Sequence, residues 1–172
     1  NIEHFAWQTS WGVSWRLIGA MIMAHGDDKG LVLPPKVAPM QVVIIPIYKN
    51  NNDKENVITK VNEIANILEL KNIRIHIDSR EELTPGYKFN DWELKGVPLR
   101  IEIGPKDIEN QSMVLAKRYN HEKMKMGLNE VDKIVTILDE IQTEMLKKAK
   151  TEAENNTIDI ENYDEFKMKM EK

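Results

Sequence analysis

Cysteine is absent from the 172 residues. That excludes disulfide frameworks and thiolate zinc sites. The four histidines, His4, His25, His76 and His121, are scattered without metal-ligand spacing, so no metal site is expected. No apolar run approaches the ~18 residues of a membrane span, and no targeting peptide is recognisable. Internal repeats and low-complexity tracts are also lacking. A surplus of positive charge is missing too: 24 Lys and Arg face 28 Asp and Glu, for a net charge of −4. Bulk electrostatics therefore do not draw the chain onto nucleic acid or membrane, and any RNA contact must come from a local patch. What is present is one ordinary domain and a little more, with 30% charged residues and a heavily solvated surface.

Residues 7–39, WQTSWGVSWRLIGAMIMAHGDDKGLVLPPKVAP, are the most informative stretch. Gly12 and Arg16 sit at the spacing of a strand that brings a glycine against a ligand and an arginine over a flat ring. Residues 17–24 are apolar on every side except Gly19. A helix apolar all round must be buried, and the residues before it are too few to bury it. The chain is therefore expected to be a piece of a longer protein, with an apolar patch on residues 17–24. An exit loop follows, marked by Gly26, Gly30 and Pro34-Pro35.

Beyond it, QVVIIPI at residues 41–47 predicts a buried parallel strand. The apolar spacing over residues 53–70 predicts an amphipathic helix, and residues 73–77 alternate with the period of a strand. Thr84 as cap, Pro85 at the first turn and Gly96 as terminator frame a short helix over 85–95. Residues 99–103 form a third strand, 106–109 a brief helical turn, and 112–117 a fourth, antiparallel strand. A loop rich in Lys and Met is expected next, then a long helix over 129–150. Its buried stripe is Val131, Ile134, Val135, Leu138, Ile141, Met145 and Leu146. Residues 152–156 read as a polar linker and 163–170 as the start of another helix. The order demands right-handed crossovers and a mixed, mostly parallel α/β sheet flanked by helices. A nucleotide-binding α/β enzyme is excluded, since no glycine-rich fingerprint follows the first strand.

Two blocks carry a resemblance to a known family. WQTSWG…R…IG…HGDDKGLVLPP resembles motif 3 of prolyl-tRNA synthetases of the archaeal and eukaryotic type. PGYKFNDWELKGVPLRIEIGPKDIEN resembles the central signature of their anticodon-binding domain. The likeness covers residues 7–150, and NYDEFKMKMEK is similar to the entry of the family's C-terminal extension. It implies three parts: a remnant of the antiparallel class II catalytic domain at 1–38, a class II anticodon-binding domain at 39–150, and a linker with the start of an extension at 151–172. It also implies a cytoplasmic proline–tRNA ligase, homodimeric through its catalytic domain. Such an enzyme uses ATP and Mg to activate proline and transfers it to tRNA(Pro). Motifs 1 and 2 are not in this chain, so it is expected to be inactive alone. The alternative is an anticodon-domain module that binds RNA or protein without ligase activity. Against it stands QTSWG with Arg16, which a pure binding module has no reason to keep.

By the same resemblance, Arg16 stacks on adenine. Ser10, Trp11 and Gly12 floor the proline and adenylate pocket. Trp15 departs from the pattern, where a small hydroxyl residue usually precedes the arginine. Glu93, Arg100, Lys106 and Asp107 match residues that read the two guanines shared by proline anticodons. Carboxylates accept from guanine's Watson–Crick edge and cations reach O6, N7 or phosphate. Alternation along residues 99–103 places Arg100 and Glu102 on one face and Ile101 and Ile103 on the other; the bland reading is a salt-bridge cluster at a strand edge. Lys117, Arg118, Lys123 and Lys125 are candidates for steering an RNA backbone or for a solvated loop. Asp27 and Asp28 are read as a solvated turn, His25 as structural, and Met124 and Met126 as loop packing.

Overall fold

The computed structural model describes residues 4–170. Five strands form one sheet in the order β2-β1-β3-β4-β5. They are β1 (Val42–Pro46), β2 (Ile75–Ile77), β3 (Leu99–Ile103), β4 (Ser112–Lys117) and β5 (Lys123–Gly127). The first three are mutually parallel and the last two antiparallel, which is the mixed sheet expected.

Helices α2 (Asn51–Leu70) and α5 (Lys133–Asn156) flank the sheet. Val57, Val61, Ile64, Ala65 and Leu68 of α2 recur at helical spacing and are buried. They share one core with Val42, Ile44, Leu99, Ile101, Ile103, Met113 and Leu115 of the sheet, and with Ile134, Leu138, Ile141 and Met145 of α5. Val135 and Leu146, expected in that stripe, are exposed. Ile137 takes the buried position instead, because the apolar face is centred one residue away.

Helix α3 (Pro85–Leu94) packs against the opposite face of the sheet. There Val43, Ile45, Trp92 and Val97 make a second, smaller core, with Met40 and Phe89 against it. The Thr84 hydroxyl caps α3 by accepting from the Tyr87 amide at 3.3 Å, with Pro85 in the first turn. A polar knot anchors the helix. Asp78, fully buried after β2, accepts from Trp92 Nε1 at 2.7 Å and from both arms of Arg80. Lys88 Nζ donates to the Asp78 carbonyl at 3.1 Å. Buried carboxylates persist only when bonded this fully.

Three expectations need correction. Residues 123–127 form strand β5, not a loop: KMKMG alternates, with Lys123 and Lys125 outward and Met126 in the core. Residues 152–156 belong to α5 rather than to a linker. Their polarity does not break a helix, and Lys148 and Glu152 pair one turn apart at 3.8 Å. The strand expected before Arg16 is not formed; residues 4–14 have no regular structure and Arg16 opens helix α1 (Arg16–His25) instead. A strand needs a neighbour to bond to, and among the described residues none lies beside this segment. Helices α4 (Pro105–Glu109) and α6 (Tyr163–Met170) form where expected.

Candidate anticodon-reading face

The α3 face of the sheet carries a polar strip. Register places Val43, Arg100, Ala116 and Lys123 in one row across four strands, and Ile45, Glu102, Val114 and Lys125 in the next. Alternation along β3 therefore puts Arg100 and Glu102 together, as expected. Arg100 Nε donates to Glu102 Oε1 at 3.0 Å, and its guanidinium lies 4.5 Å from the Phe89 ring centre. Lys123 Nζ reaches the same carboxylate oxygen at 3.2 Å. Both partners of the Arg100–Glu102 pair are nearly buried, so the guanidinium fork is held in one plane.

Beside this strip, between the end of α3 and the β4–β5 turn, lies a cleft of roughly 210 Å³ lined by Lys29, Trp92, Glu93, Arg100, Arg118 and His121 among others. Trp92, held in the small core, and its neighbour Glu93 both border the cleft from the end of α3. Glu93 and Arg100 thus line one cavity although they come from different elements.

Lys106 and Asp107 do not line that cleft. They sit on α4, just past the carboxyl end of β3. Asp107 Oδ2 accepts from the Gly104 amide at 2.9 Å and closes the turn, and Lys106 is exposed.

Asp27 and Asp28 lie in an exposed turn, as expected, but Asp27 is also tied to the body of the sheet, which no local pattern showed. Its carboxylate accepts from Arg118 Nη1 at 2.7 Å and Nη2 at 2.6 Å, and those bonds hold it well below the usual carboxylate range. Arg118 is buried and also donates through Nε to the Glu93 carbonyl at 2.9 Å, so its role is internal rather than a free phosphate contact. His121 lies between two carboxylates, 3.4 Å from Asp27 and 3.2 Å from Glu93, and Lys29 lies 3.5 Å from Glu93. Among these, Asp27 and Arg118 are separated by 91 positions, so no local pattern could have paired them.

The loop is seated by backbone as well. Leu31 N donates to the Leu94 carbonyl at 3.0 Å and Leu33 N to the Gly96 carbonyl at 3.2 Å. Gly96 is left-handed, φ +72°, and a Cβ there would stand 2.5 Å from the Leu31 carbonyl oxygen.

Ser10, Trp11, Gly12 and Arg16 are all exposed, and none of them borders the cleft beside α3. Nothing stands within 4 Å of where a Gly12 Cβ would be. Helix α1 has no buried residue, and Leu17, Ile18, Ile22 and Met23 are exposed, which is the apolar patch expected. Among the described residues no cluster of acidic or histidine side chains could hold a metal, and no helix is long and apolar enough to cross a membrane.

The family model described as the anticodon binding domain matches residues 41–138, more than half of the chain. The chain belongs to that family. A proline–tRNA ligase of Cenarchaeum symbiosum is 54% identical over 95% of this chain and 34% of its own length. One from Roseiflexus sp. is 47% identical over the whole chain and 36% of its own length. The crystal structure of prolyl-tRNA synthetase from Cryptosporidium parvum complexed with L-proline and AMP superposes with a TM-score of 0.81. It is 48% identical over 87% of this chain and 32% of that one. The chain spans about a third of the length of these relatives, and the resemblance to prolyl-tRNA synthetases drawn from the sequence is borne out.

Proposed function

We propose that this chain is the anticodon-reading part of a proline–tRNA ligase, and that it reads guanine bases of tRNA(Pro). The observation that carries this is the pairing of a carboxylate, Glu93, with a plane-fixed guanidinium, Arg100, in one open cleft. A carboxylate accepts from guanine N1 and N2, and a guanidinium donates to O6 or N7. Each group separates guanine from adenine, whose corresponding edge lacks the N1–H, the N2 amino group and the O6 acceptor. Lys106 and Asp107 extend the reading face along β3 toward its carboxyl end, and Lys125 borders it. Unpaired bases present these edges, which suits an anticodon loop rather than a duplex.

The partition at 1–38, 39–150 and 151–172 belongs to the same reading, with residues 41–138 inside the middle part. So does the activity of the whole protein: cytoplasmic ATP-dependent activation of proline and its transfer to tRNA(Pro), by a homodimer. The likeness to proline–tRNA ligases and the L-proline and AMP held by the Cryptosporidium parvum enzyme support it. In the whole protein to which this chain would belong, Arg16 would stack on adenine and Ser10, Trp11 and Gly12 would border the proline. In this structure those four residues form no cradle for ATP, and no carboxylate cluster fits Mg among the described residues, so no chemical step is derived from them.

The test is a titration of the 172-residue chain with a proline anticodon stem–loop, followed by fluorescence anisotropy. Replacing either shared guanine by adenine is expected to weaken binding by about 1–3 kcal/mol. Affinity should also fall as salt rises. Equal affinity for the guanine and adenine loops would refute the reading.

A further inference from the structure

The carboxylate of Glu93 is held from one side only. Lys29 Nζ and His121 Nδ1 both approach its Oε1, at 3.5 and 3.2 Å. Among the described residues Oε2 has no protein partner, so it keeps its lone pairs for a ligand. The two groups that grip Oε1 differ in reach. Lys29 is an exposed ammonium, whereas the second ring nitrogen of His121 stands 3.4 Å from Asp27 Oδ2, within ion-pair range of that carboxylate when the ring is protonated. Asp27 in turn is clamped through both oxygens by the buried Arg118, which also holds the backbone of Glu93. Arg118, Asp27, His121 and Glu93 thus make a ring of contacts, closed by the Arg118 bond to the Glu93 carbonyl.

Local conformation serves the same end. His121 is left-handed, φ +59°, in the turn between β4 and β5. The turn is closed by Asn120, whose side-chain oxygen accepts from the Glu122 amide at 3.1 Å. A left-handed non-glycine residue is uncommon and survives only where its surroundings demand it. Here the ring is swung back toward the end of α3.

We propose that His121, anchored by Asp27, is the positioning residue that aims the Glu93 carboxylate for base discrimination. Asp27, in the loop after α1, thereby bears on the specificity of the cleft through His121. This inference rests on the reading of Glu93 as a base-contacting group. Guanine recognition needs the carboxylate plane aligned with N1–H and N2–H, and a rotated carboxylate accepts one donor instead of two. A lost circuit should therefore reduce discrimination more than it reduces affinity for the phosphate backbone.

A double-mutant cycle on the full 172-residue chain tests it. The quantity read is the ratio of dissociation constants for the adenine-substituted and guanine-bearing proline anticodon stem–loops. The first variant is His121→Asn, because asparagine tolerates the left-handed turn and is too short to bridge Asp27 and Glu93. It is expected to lower the ratio by roughly 5-fold in the native background and to leave it unchanged in a Glu93→Gln background, since coupled residues are not additive. Its salt slope should match that of the native chain. Asp27→Asn, which removes the anchor but not the ring, should lower the ratio in the same direction and provides a second route should His121→Asn fold poorly. If Glu93→Gln alone leaves the ratio intact, the base-reading role of Glu93 fails, and this inference with it. If Glu93→Gln lowers the ratio while His121→Asn does nothing, or acts equally in both backgrounds, the positioning role alone is overturned.

Discussion

Asp27 and Arg118 form a bidentate pair at 2.7 and 2.6 Å across 91 positions of sequence. The pair ties the loop after α1 to the β4–β5 turn and buries the guanidinium. Asp27→Ala leaves Arg118 with a single backbone acceptor, the Glu93 carbonyl. Removing one partner of a charged hydrogen-bonded pair costs about 1–3 kcal/mol, and Asp27 is partly exposed, which puts the loss toward the lower end. A lowered denaturant midpoint with an unchanged slope would show it; an unchanged midpoint would contradict the clamp.

Acid should act on the same clamp. The Arg118 bonds depress the Asp27 carboxyl. At Asp78 burial alone would raise the carboxyl, but the bonds from Arg80 and Trp92 outweigh it and hold it low. A carboxyl with a depressed folded-state pKa stabilises fully above its unfolded value, 3.8 here, and loses that contribution as pH falls toward the folded value. Stability should therefore be insensitive to these two groups near neutrality and fall below about pH 4. In Asp27→Asn the acid loss should be shallower. A thermal-unfolding series against pH would display both slopes.

Two glycines should respond with opposite signs. Gly96→Ala forces an alanine into a left-handed conformation at φ +72° with its Cβ 2.5 Å from the Leu31 carbonyl oxygen. The conformation alone costs about 1–2 kcal/mol, and the clash adds to it. Gly86 sits in the first turn of α3 with nothing within 4 Å of a new Cβ. Gly86→Ala should stabilise by about 0.4–1 kcal/mol. Paired denaturation curves would decide both.

Local pattern carried much of the architecture. The β-branched run at 41–47 and the alternation at 99–103 made strands β1 and β3 legible, and Thr84-Pro85 with Gly96 framed α3. Strand β5 was hidden because KMKMG puts lysine on one face and methionine on the other, and neither residue is a strong strand former. The Arg100–Glu102 pair was visible because i and i+2 share a face. The Asp27–Arg118–His121 circuit was not, because its members meet only after the sheet is assembled and none belongs to a local motif. The segment before α1 reads as a strand only where a neighbouring strand exists to bond it.

The most direct measurement is the 15N-labelled chain observed by NMR while a proline anticodon stem–loop is added, following Arg100 Nε–H and the Trp92 indole N–H beside the cleft. The Arg100 signal should shift strongly with the guanine-bearing loop and little with its adenine-substituted counterpart. Equal shifts with both loops, or perturbation confined to the exposed face of α1, would contradict this reading.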